Sequence, residues 1–143
     1  MAKKDRAKLE EVLAMVPMLH GLPKRHLRKL AGLCDVGEYM ADASIVKQGE
    51  PGDAFYVVLS GQAKVTVGKR FVARLLPGDH FGEIAVLDGG TRSATVKSET
   101  SMTLLILRRA DLLRALKDDA ELAMNMMVEL AKMFRRLSGS NTQ

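Results

Sequence analysis

The middle of the chain has a hydrophobic pattern with a period of two, cut into short runs by evenly spaced turn signals. Turn-forming residues recur at 48–53, 60–61, 68–69, 77–79 and 88–90. The runs between them are rich in β-branched or aromatic residues, and they are Ala54–Leu59, Ala63–Val67, Phe71–Leu76, Ala94–Lys97 and Met102–Leu107. Many short strands joined by regular turns are typical of a β-sandwich or barrel. The sequence therefore predicts a jelly roll or a comparable sandwich over residues 35–108.

Both ends of the chain return to the helical period. Apolar residues at helical spacing predict a helix over 5–16 that ends at Pro17, and Pro23 can open a second helix. After the β region, a short helix over Ala110–Lys117 is followed by a longer one, which Asp118 or Asp119 can cap. The predicted fold class is α+β in a single domain, residues 1–143. It has helices within 5–33, an eight-stranded β jelly roll at 35–108, a short helix inside that roll and two C-terminal helices at 109–137.

Length and composition exclude several classes of protein. A chain of 143 residues has room for one core, and it contains no apolar run of 18 residues that would predict a membrane span. Its single cysteine, Cys34, allows no internal disulfide, which favours a reducing compartment, and we expect a cytoplasmic protein. The net charge of +5 comes from scattered basic residues without interleaved aromatics. The basic clusters are Lys24–Lys29, Arg108–Arg109 and Arg135–Arg136, and they do not predict a nucleic-acid surface.

The segment 81–96, FGEIAVLDGGTRSATV, departs from the hairpin pattern. Glu83–Leu87 is a run of good helix formers of one to two turns, whose first amides offer donors to an anion. Gly89 and Gly90 let the chain fold back, and Arg92 then precedes a strand. A guanidinium beside free amides is the chemistry that a phosphate needs, whereas a carboxylate such as Glu83 accepts from sugar hydroxyls. The segment predicts a ligand with one phosphate and a nearby hydroxyl.

This segment resembles the phosphate-binding cassette of the cyclic-nucleotide-binding domains found in catabolite-activator-type regulators, kinase regulatory subunits and gated channels. The resemblance extends to Gly49, Gly52-Asp53, Phe55–Val58, Gly61 and Gly78-Asp79, and thus covers about residues 15–137. It implies that Glu83 binds the ribose 2′-hydroxyl and that Arg92 grips the exocyclic phosphate oxygens. It also implies backbone help from Ala85 and Ser93, close backbone approach at Gly82, and an apolar wall beside the base. The residues expected in this wall are Val65, Val72 and Ala73. Ile84 is also expected to contact the ligand.

The same resemblance implies a mechanism of output. In the family the long C-terminal helix moves to cover the base, and gapless spacing from Arg92 places the covering position near Met133, with Arg136 the nearest polar candidate. The apolar stripe of that helix is wide enough to serve a second subunit, with a seam formed by Leu122, Met126, Met133 and Leu137. We therefore expect a regulatory module that binds cAMP in preference to cGMP and passes binding on through this helix, with a homodimer as a further expectation.

Two alternatives remain open. The chain can be the sensor part of a larger transcription regulator, channel or kinase, with an effector that the sequence does not identify. It can also be a degenerate scaffold domain without a ligand, although the intact Glu83 and Arg92 oppose this. The helix-turn-helix of catabolite-activator-type regulators has no counterpart in these 143 residues, so we expect no direct DNA binding. No catalytic set has a plausible location, and His80 lacks the further histidines of a cupin-type metal site, so neither catalysis nor a metal is expected.

Overall fold

The computed structural model describes residues 3–139 and divides the chain into two compact units. One unit spans Cys34–Asp111 and contains all eight strands of the described chain. The other is helical and combines the described residues up to Leu33 with those from Leu112 onward.

The β unit consists of two antiparallel sheets of four strands each. In chain order the strands are β1 (Asp35–Tyr39), β2 (Ser44–Val46), β3 (Ala54–Ser60), β4 (Ala63–Val67), β5 (Arg70–Leu75), β6 (His80–Phe81), β7 (Thr95–Ser98) and β8 (Met102–Arg108). The first sheet has the order β1-β8-β3-β6 and the second the order β2-β7-β4-β5. A short helix, α3 (Glu83–Asp88), lies between β6 and β7 in the chain. The predicted jelly roll is confirmed.

Alternate residues of the longest strands form the core of this unit. Tyr56 and Val58 on β3 are buried in one cluster with Leu104 and Ile106 on β8, and these two strands pair from Ala54↔Arg108 onward. Since successive side chains of a strand point to opposite faces, every second residue of the apolar runs Ala54–Leu59 and Met102–Leu107 faces this cluster, and most of the residues between them are buried as well. The cluster is completed by Ala54, Ala63, Val96 and Met102.

The predicted strand boundaries differ little from those observed. β4 has the predicted limits, and the other four predicted runs shift by one residue at one or both ends. β1, β2 and β6 had no individual prediction. β1 carries a glycine and mostly half-buried or exposed residues, and it is held by its pairing with β8, from Asp35↔Ile106 to Tyr39↔Met102. Such a strand depends on its partner rather than on its own pattern.

The helical unit contains α1 (Lys3–Ala14), α2 (Lys24–Leu33) and α5 (Ala120–Leu137), and most of α4 (Arg109–Asp118), which begins in the β unit. α1 ends two residues before the predicted limit, and the chain continues in tight turns such as Met15 N–H to Val12 O at 3.1 Å. Asp119 is the N-cap of α5, since its Oδ1 accepts the Leu122 N–H at 3.1 Å. No helix among residues 3–139 combines the length and hydropathy that a bilayer crossing requires.

The predicted dimer seam on α5 needs a correction. Leu122 and Met126 are fully buried, so two of its four members are unavailable to a second subunit in this arrangement. The exposed apolar side chains of α5 lie on another stripe, formed by Met124, Met127, Val128, Phe134 and Leu137. The sequence pattern could not separate the two stripes, because a helix that is apolar around most of its circumference has no single apolar face.

Candidate functional site

The helix α3 is bounded by two glycines in the left-handed conformation. Gly82 precedes it with φ 92° and Gly89 follows it with φ 72°, both in the region that glycine adopts without a steric cost. The Val86 N–H donates to the Gly82 carbonyl at 3.0 Å, and the Gly89 N–H donates to the Ala85 carbonyl at 2.8 Å. The Glu83 N–H contacts its own carboxylate, and the other first-turn amides of α3 come before the first of these bonds and remain available to an anion. The predicted cassette helix is confirmed, with Asp88 as its last residue.

The chain from Gly90 to Arg92 is fixed by the loop at 49–53. The Arg92 N–H donates to the Glu50 carbonyl at 2.8 Å, while the Gly49 N–H donates to the Arg92 carbonyl at 2.9 Å. The Gly52 N–H donates to the Gly90 carbonyl at 2.9 Å, and a methyl group on Gly52 would lie 2.2 Å from the Ala85 Cβ. The QGEPGD turn, which the sequence marked only as a turn signal, therefore positions the backbone on both sides of Arg92.

Arg92 is a buried cation whose guanidinium is only partly satisfied. The residue is 6% exposed, and its Nη2 donates to the Ala54 carbonyl at 2.9 Å. Nη1 is buried and has no hydrogen-bond partner among the described residues. The nearest carboxylate oxygen, Oδ1 of Asp53, is 3.6 Å from Nη2 and belongs to a side chain that is 88% exposed. Because a buried charge is unfavourable without a close partner, this arrangement favours an anion next to Nη1.

An aromatic pair lies beneath the guanidinium. The Arg92 guanidinium carbon is 5.7 Å from the Tyr56 ring centroid, within the range of a cation–π contact. The Tyr56 ring in turn stacks on Phe81, with centroids 4.8 Å apart. Tyr56 comes from β3 and Phe81 from β6, which pair at these two residues. The sheet therefore determines where the Arg92 side chain lies.

Glu83, at the start of α3, is half-buried and contacts His80. Nδ1 of His80 lies 3.0 Å from Oε1 of Glu83, within the distance of an ion pair. Burial acts to raise the pKa of the Glu83 carboxyl, but the contact with His80 and a bond to its own backbone outweigh burial and leave that pKa lowered. The pKa of His80 is raised, chiefly by the same contact and despite its burial. The pair therefore favours an ionised Glu83, an acceptor for hydroxyl groups.

These groups surround a cavity of about 420 Å³, a size typical of small-molecule sites. Seven of the predicted ligand residues line it, and they are Val65, Gly82, Glu83, Ile84, Ala85, Arg92 and Ser93. Sequence reasoning missed others, and they are Val46, Phe81, Asp88, Gly90, Thr91, Ala94 and Val96. Most of these belong to the same cassette, but Val46 comes from β2, a three-residue strand that no separate sequence signal predicts.

Four predicted ligand residues do not belong to this lining. Val72 and Ala73 are exposed on β5, where Ala73 pairs with the lining residue Val65. Met133 is half-buried and Arg136 exposed on α5, in the helical unit. Their assignment to the base stays a prediction. Within residues 3–139, no group of three histidine, cysteine, aspartate or glutamate side chains is placed to hold a metal ion.

Comparison with known proteins gives one family. Residues 36–119 match the family model described as the cyclic nucleotide-binding domain. The cAMP-dependent protein kinase regulatory subunit of Schizosaccharomyces pombe is 33% identical over 125 residues, which are 87% of this chain and 30% of that protein. A cGMP-dependent protein kinase from Toxoplasma gondii is 32% identical over 130 residues, 90% of this chain and 13% of that protein. The chain thus spans less than a third of the length of either relative.

Solved structures give the same likeness. The N-terminal domain of a transcriptional regulator from Streptomyces coelicolor A3(2) superposes with a TM-score of 0.82 at 25% identity, covering 92% of this chain and 98% of that one. The regulatory domain of Toxoplasma gondii PKA, crystallised with cAMP, superposes with a TM-score of 0.74 at 28% identity, covering 94% of this chain and 51% of that one.

Proposed function

The chain belongs to the cyclic nucleotide-binding domain family, and from this premise we propose that it is a non-catalytic regulatory module that senses a cyclic nucleotide in the cavity beside α3. The buried Nη1 of Arg92, which has no partner among the described residues, is the observation that carries the proposal. A cyclic phosphate next to Nη1 satisfies this nitrogen and neutralises a buried charge in one contact. A degenerate scaffold is disfavoured because both Arg92 and Glu83 are present and line one cavity.

We propose the ligand contacts that the family implies, and the lining of the cavity supports them. Arg92 binds the exocyclic phosphate oxygens, with the backbone amides of Ala85 and Ser93 as further donors. Glu83 accepts from the ribose 2′-hydroxyl, and Gly82 allows the sugar close to the backbone. Val65 contributes to the apolar surface beside the base, while Val72 and Ala73 on the neighbouring strand extend that surface when the base is bound.

The favoured ligand is cAMP. Support comes from the relatives, since a cAMP-dependent kinase subunit and a domain crystallised with cAMP are both similar to this chain. Ser93 does not decide between the two bases, and a cGMP-dependent kinase is also similar. cGMP is therefore the alternative ligand that the experiment has to distinguish.

The signal leaves the site through α5. Met133 and Arg136 are the candidates for contact with the base, and binding shifts α5 only by as much as the nucleotide prefers one position of the helix over another. We also propose that α5 pairs with a second copy of the chain through its exposed apolar stripe rather than through Leu122 and Met126, which are buried. Residues 1–143 then act as one sensor module, which in the cell serves a larger regulator or a separate effector.

Four cations from two of the three basic clusters already contact carboxylates, which supports a role without direct DNA contact. Arg25 pairs with Glu121, Arg28 with Glu10 at 3.4 Å, and Lys29 with Asp119 at 3.4 Å. Arg108 pairs with Asp35. Cations that already contact carboxylates offer little free charge to phosphates of a nucleic acid.

Native mass spectrometry of the protein as purified from cells tests both the ligand and the subunit number. We expect a bound mass equal to that of cAMP, and twice the chain mass for the assembly. Calorimetric competition then compares cAMP with cGMP. Displacement of cAMP by an equal or lower concentration of cGMP reverses the choice of base, and no binding of either nucleotide overturns the proposed function.

A further inference from the structure

The two adjacent arginines after β8 have different partners. Arg108, on the exposed surface, pairs with Asp35 at the start of β1. Arg109, the first residue of α4, is half-buried and extends to the far end of α3. Its Nη2 donates to the Leu87 carbonyl at 3.4 Å, a long hydrogen bond to the last turn of that helix.

The Arg109 guanidinium lies against Gly89. A methyl group on Gly89 would be 3.0 Å from both the guanidinium carbon and Nη2, and 3.2 Å from Nε. Nε itself is buried and has no hydrogen-bond partner among the described residues. A cation at this end of a helix meets carbonyls that lack partners within the helix. The contact with Gly89 and Leu87 therefore holds the guanidinium in place.

At the opposite, N-terminal end of α3, an arginine guanidinium also lies against a glycine. A methyl group on Gly82 would lie 2.6 Å from Nη1 of Arg92, just as one on Gly89 would meet Arg109. Each glycine has a positive φ, and each is covered by an arginine with one buried nitrogen that lacks a partner among the described residues. α3 thus lies between two guanidinium groups, one at each of its glycine ends.

Asp53 connects the two arginines. Its carbonyl accepts the Arg109 N–H at 2.8 Å, and its carboxylate lies 3.6 Å from the Arg92 guanidinium. The start of α4 is consequently fixed to the same loop that borders Arg92. α4 continues from Arg109 into residues of the helical unit, which begins again at Leu112.

We propose that Arg109 is a positioning residue for the cavity: it holds the C-terminal end of α3, keeps the cassette amides and Glu83 in place for the ligand, and connects α3 to the start of α4. This inference rests on the proposed function for the identity of the ligand. The contact between Arg109 and α3 is independent of any ligand, so it can be tested in the protein without nucleotide.

Two measurements on Arg109→Met and Arg109→Lys test the proposal, with Arg108→Met as the matched control. In the nucleotide-free protein, Arg109→Met should speed amide exchange at Val86 and Gly89, the two amides whose bonds bound α3. It should also weaken cAMP binding by about 5- to 50-fold, which lies within the range of a typical coupling between sites. Arg109→Lys keeps the charge but not the planar group, and we expect an intermediate result. Arg108→Met should match the parent in both measurements.

The outcomes separate this proposal from the proposed function. Unchanged exchange at Val86 and Gly89 in Arg109→Met, or an equal effect of Arg108→Met, overturns the role of Arg109. If Arg109→Met does not fold, Arg109→Lys decides alone, and parent-like exchange and affinity in it overturn the proposal. If the parent binds no cyclic nucleotide, the proposed function is wrong, while the exchange experiment still decides whether Arg109 holds α3.

Discussion

The α-carbon of Gly82 adjoins the guanidinium of Arg92, so that a methyl group on this glycine would lie 2.6 Å from Nη1. The same methyl group would lie 2.8 Å from the Ala54 carbonyl oxygen, which accepts a hydrogen bond from Nη2 of Arg92. The backbone at Gly82 therefore determines the space around Nη1 of Arg92 and also around the hydrogen bond from Nη2 to the Ala54 carbonyl. The requirement for glycine arises from this contact as well as from the φ of 92°.

We predict that Gly82→Ala weakens both the fold and ligand binding. The left-handed conformation alone should cost about 1–2 kcal/mol in the free energy of unfolding, and displacement of Arg92 should lower nucleotide affinity further. Gly32→Ala is the control, since Gly32 lies on α2 with no atom within 4 Å of the added methyl group. That change should stabilise the protein by up to about 1 kcal/mol. Urea unfolding and calorimetry measure both effects, and a parent-like Gly82→Ala would show that the contact with Arg92 is unimportant.

The two charged ligand residues should differ in importance. Arg92→Ala should weaken cyclic nucleotide binding by about 3–5 kcal/mol, because a phosphate in a buried site loses its charged partner. Glu83→Ala should cost about 1–3 kcal/mol, since it removes an acceptor for one hydroxyl. Calorimetry on variants whose circular dichroism matches the parent gives the comparison. Parent-like affinity of Arg92→Ala would mean that the ligand phosphate binds elsewhere.

The pair His80–Glu83 should make stability depend on pH with a definite sign. The pKa of His80 is raised in the folded state, so its contribution is complete below the ordinary histidine value of about 6.5 and is lost as pH rises through the folded value. The pKa of Glu83 is lowered, so its contribution is present above the ordinary glutamate value and is lost as pH falls through the folded one. Both residues therefore contribute fully to the free energy of unfolding at pH values between the ordinary pKa of glutamate and that of histidine.

The measurement compares the parent with His80→Asn by urea unfolding from about pH 5 to about pH 9. We expect the parent's advantage to be largest near the acidic end of this range and to shrink as His80 loses its proton. In Glu83→Gln, an NMR titration should place the His80 pKa below that of the parent, because burial then acts without the carboxylate. An advantage that grows with pH, or an unchanged His80 pKa in Glu83→Gln, would contradict the pairing.

The cassette could be located from the sequence, whereas the residues that hold it in place, the loop at 49–53 and Arg109, could not. The run Glu83–Leu87, the glycines after it and Arg92 have strong local signals, so the helix, its end and the charged residue were predictable. The loop at 49–53 and Arg109 act through backbone bonds and through contacts with residues distant in the chain, such as Asp53 carbonyl to Arg109 N–H at 2.8 Å. A local pattern does not encode such contacts, and Arg108–Arg109 looked like one basic cluster although the two side chains have unrelated partners.

The predictions for α5 were limited for a different reason. Its apolar residues extend around most of the helix, and only the structure separates the buried Leu122 and Met126 from the exposed Phe134 and Leu137. The sequence pattern allows either Asp118 or Asp119 as the N-cap of α5. The structure shows that it is Asp119, which accepts a hydrogen bond from the Leu122 N–H.

The last prediction concerns α5 as the output of binding. If the nucleotide favours one position of α5, then contacts with its final turns must form on binding, and those turns should become more protected. We expect nucleotide to slow amide exchange in the cassette and also in residues 126–137.

A chain ending at Lys132 lacks Met133 and Arg136 but keeps the buried Leu122, Met126 and Glu129, so it should fold and yet bind about tenfold more weakly. A chain ending at Leu137 keeps both candidates and should bind like the parent. Arg92→Ala at the same nucleotide concentration should show no slowing in either region, which excludes a non-specific effect. Slowing confined to the cassette, with equal affinity of the two shortened chains, would show that the domain binds nucleotide without using this helix.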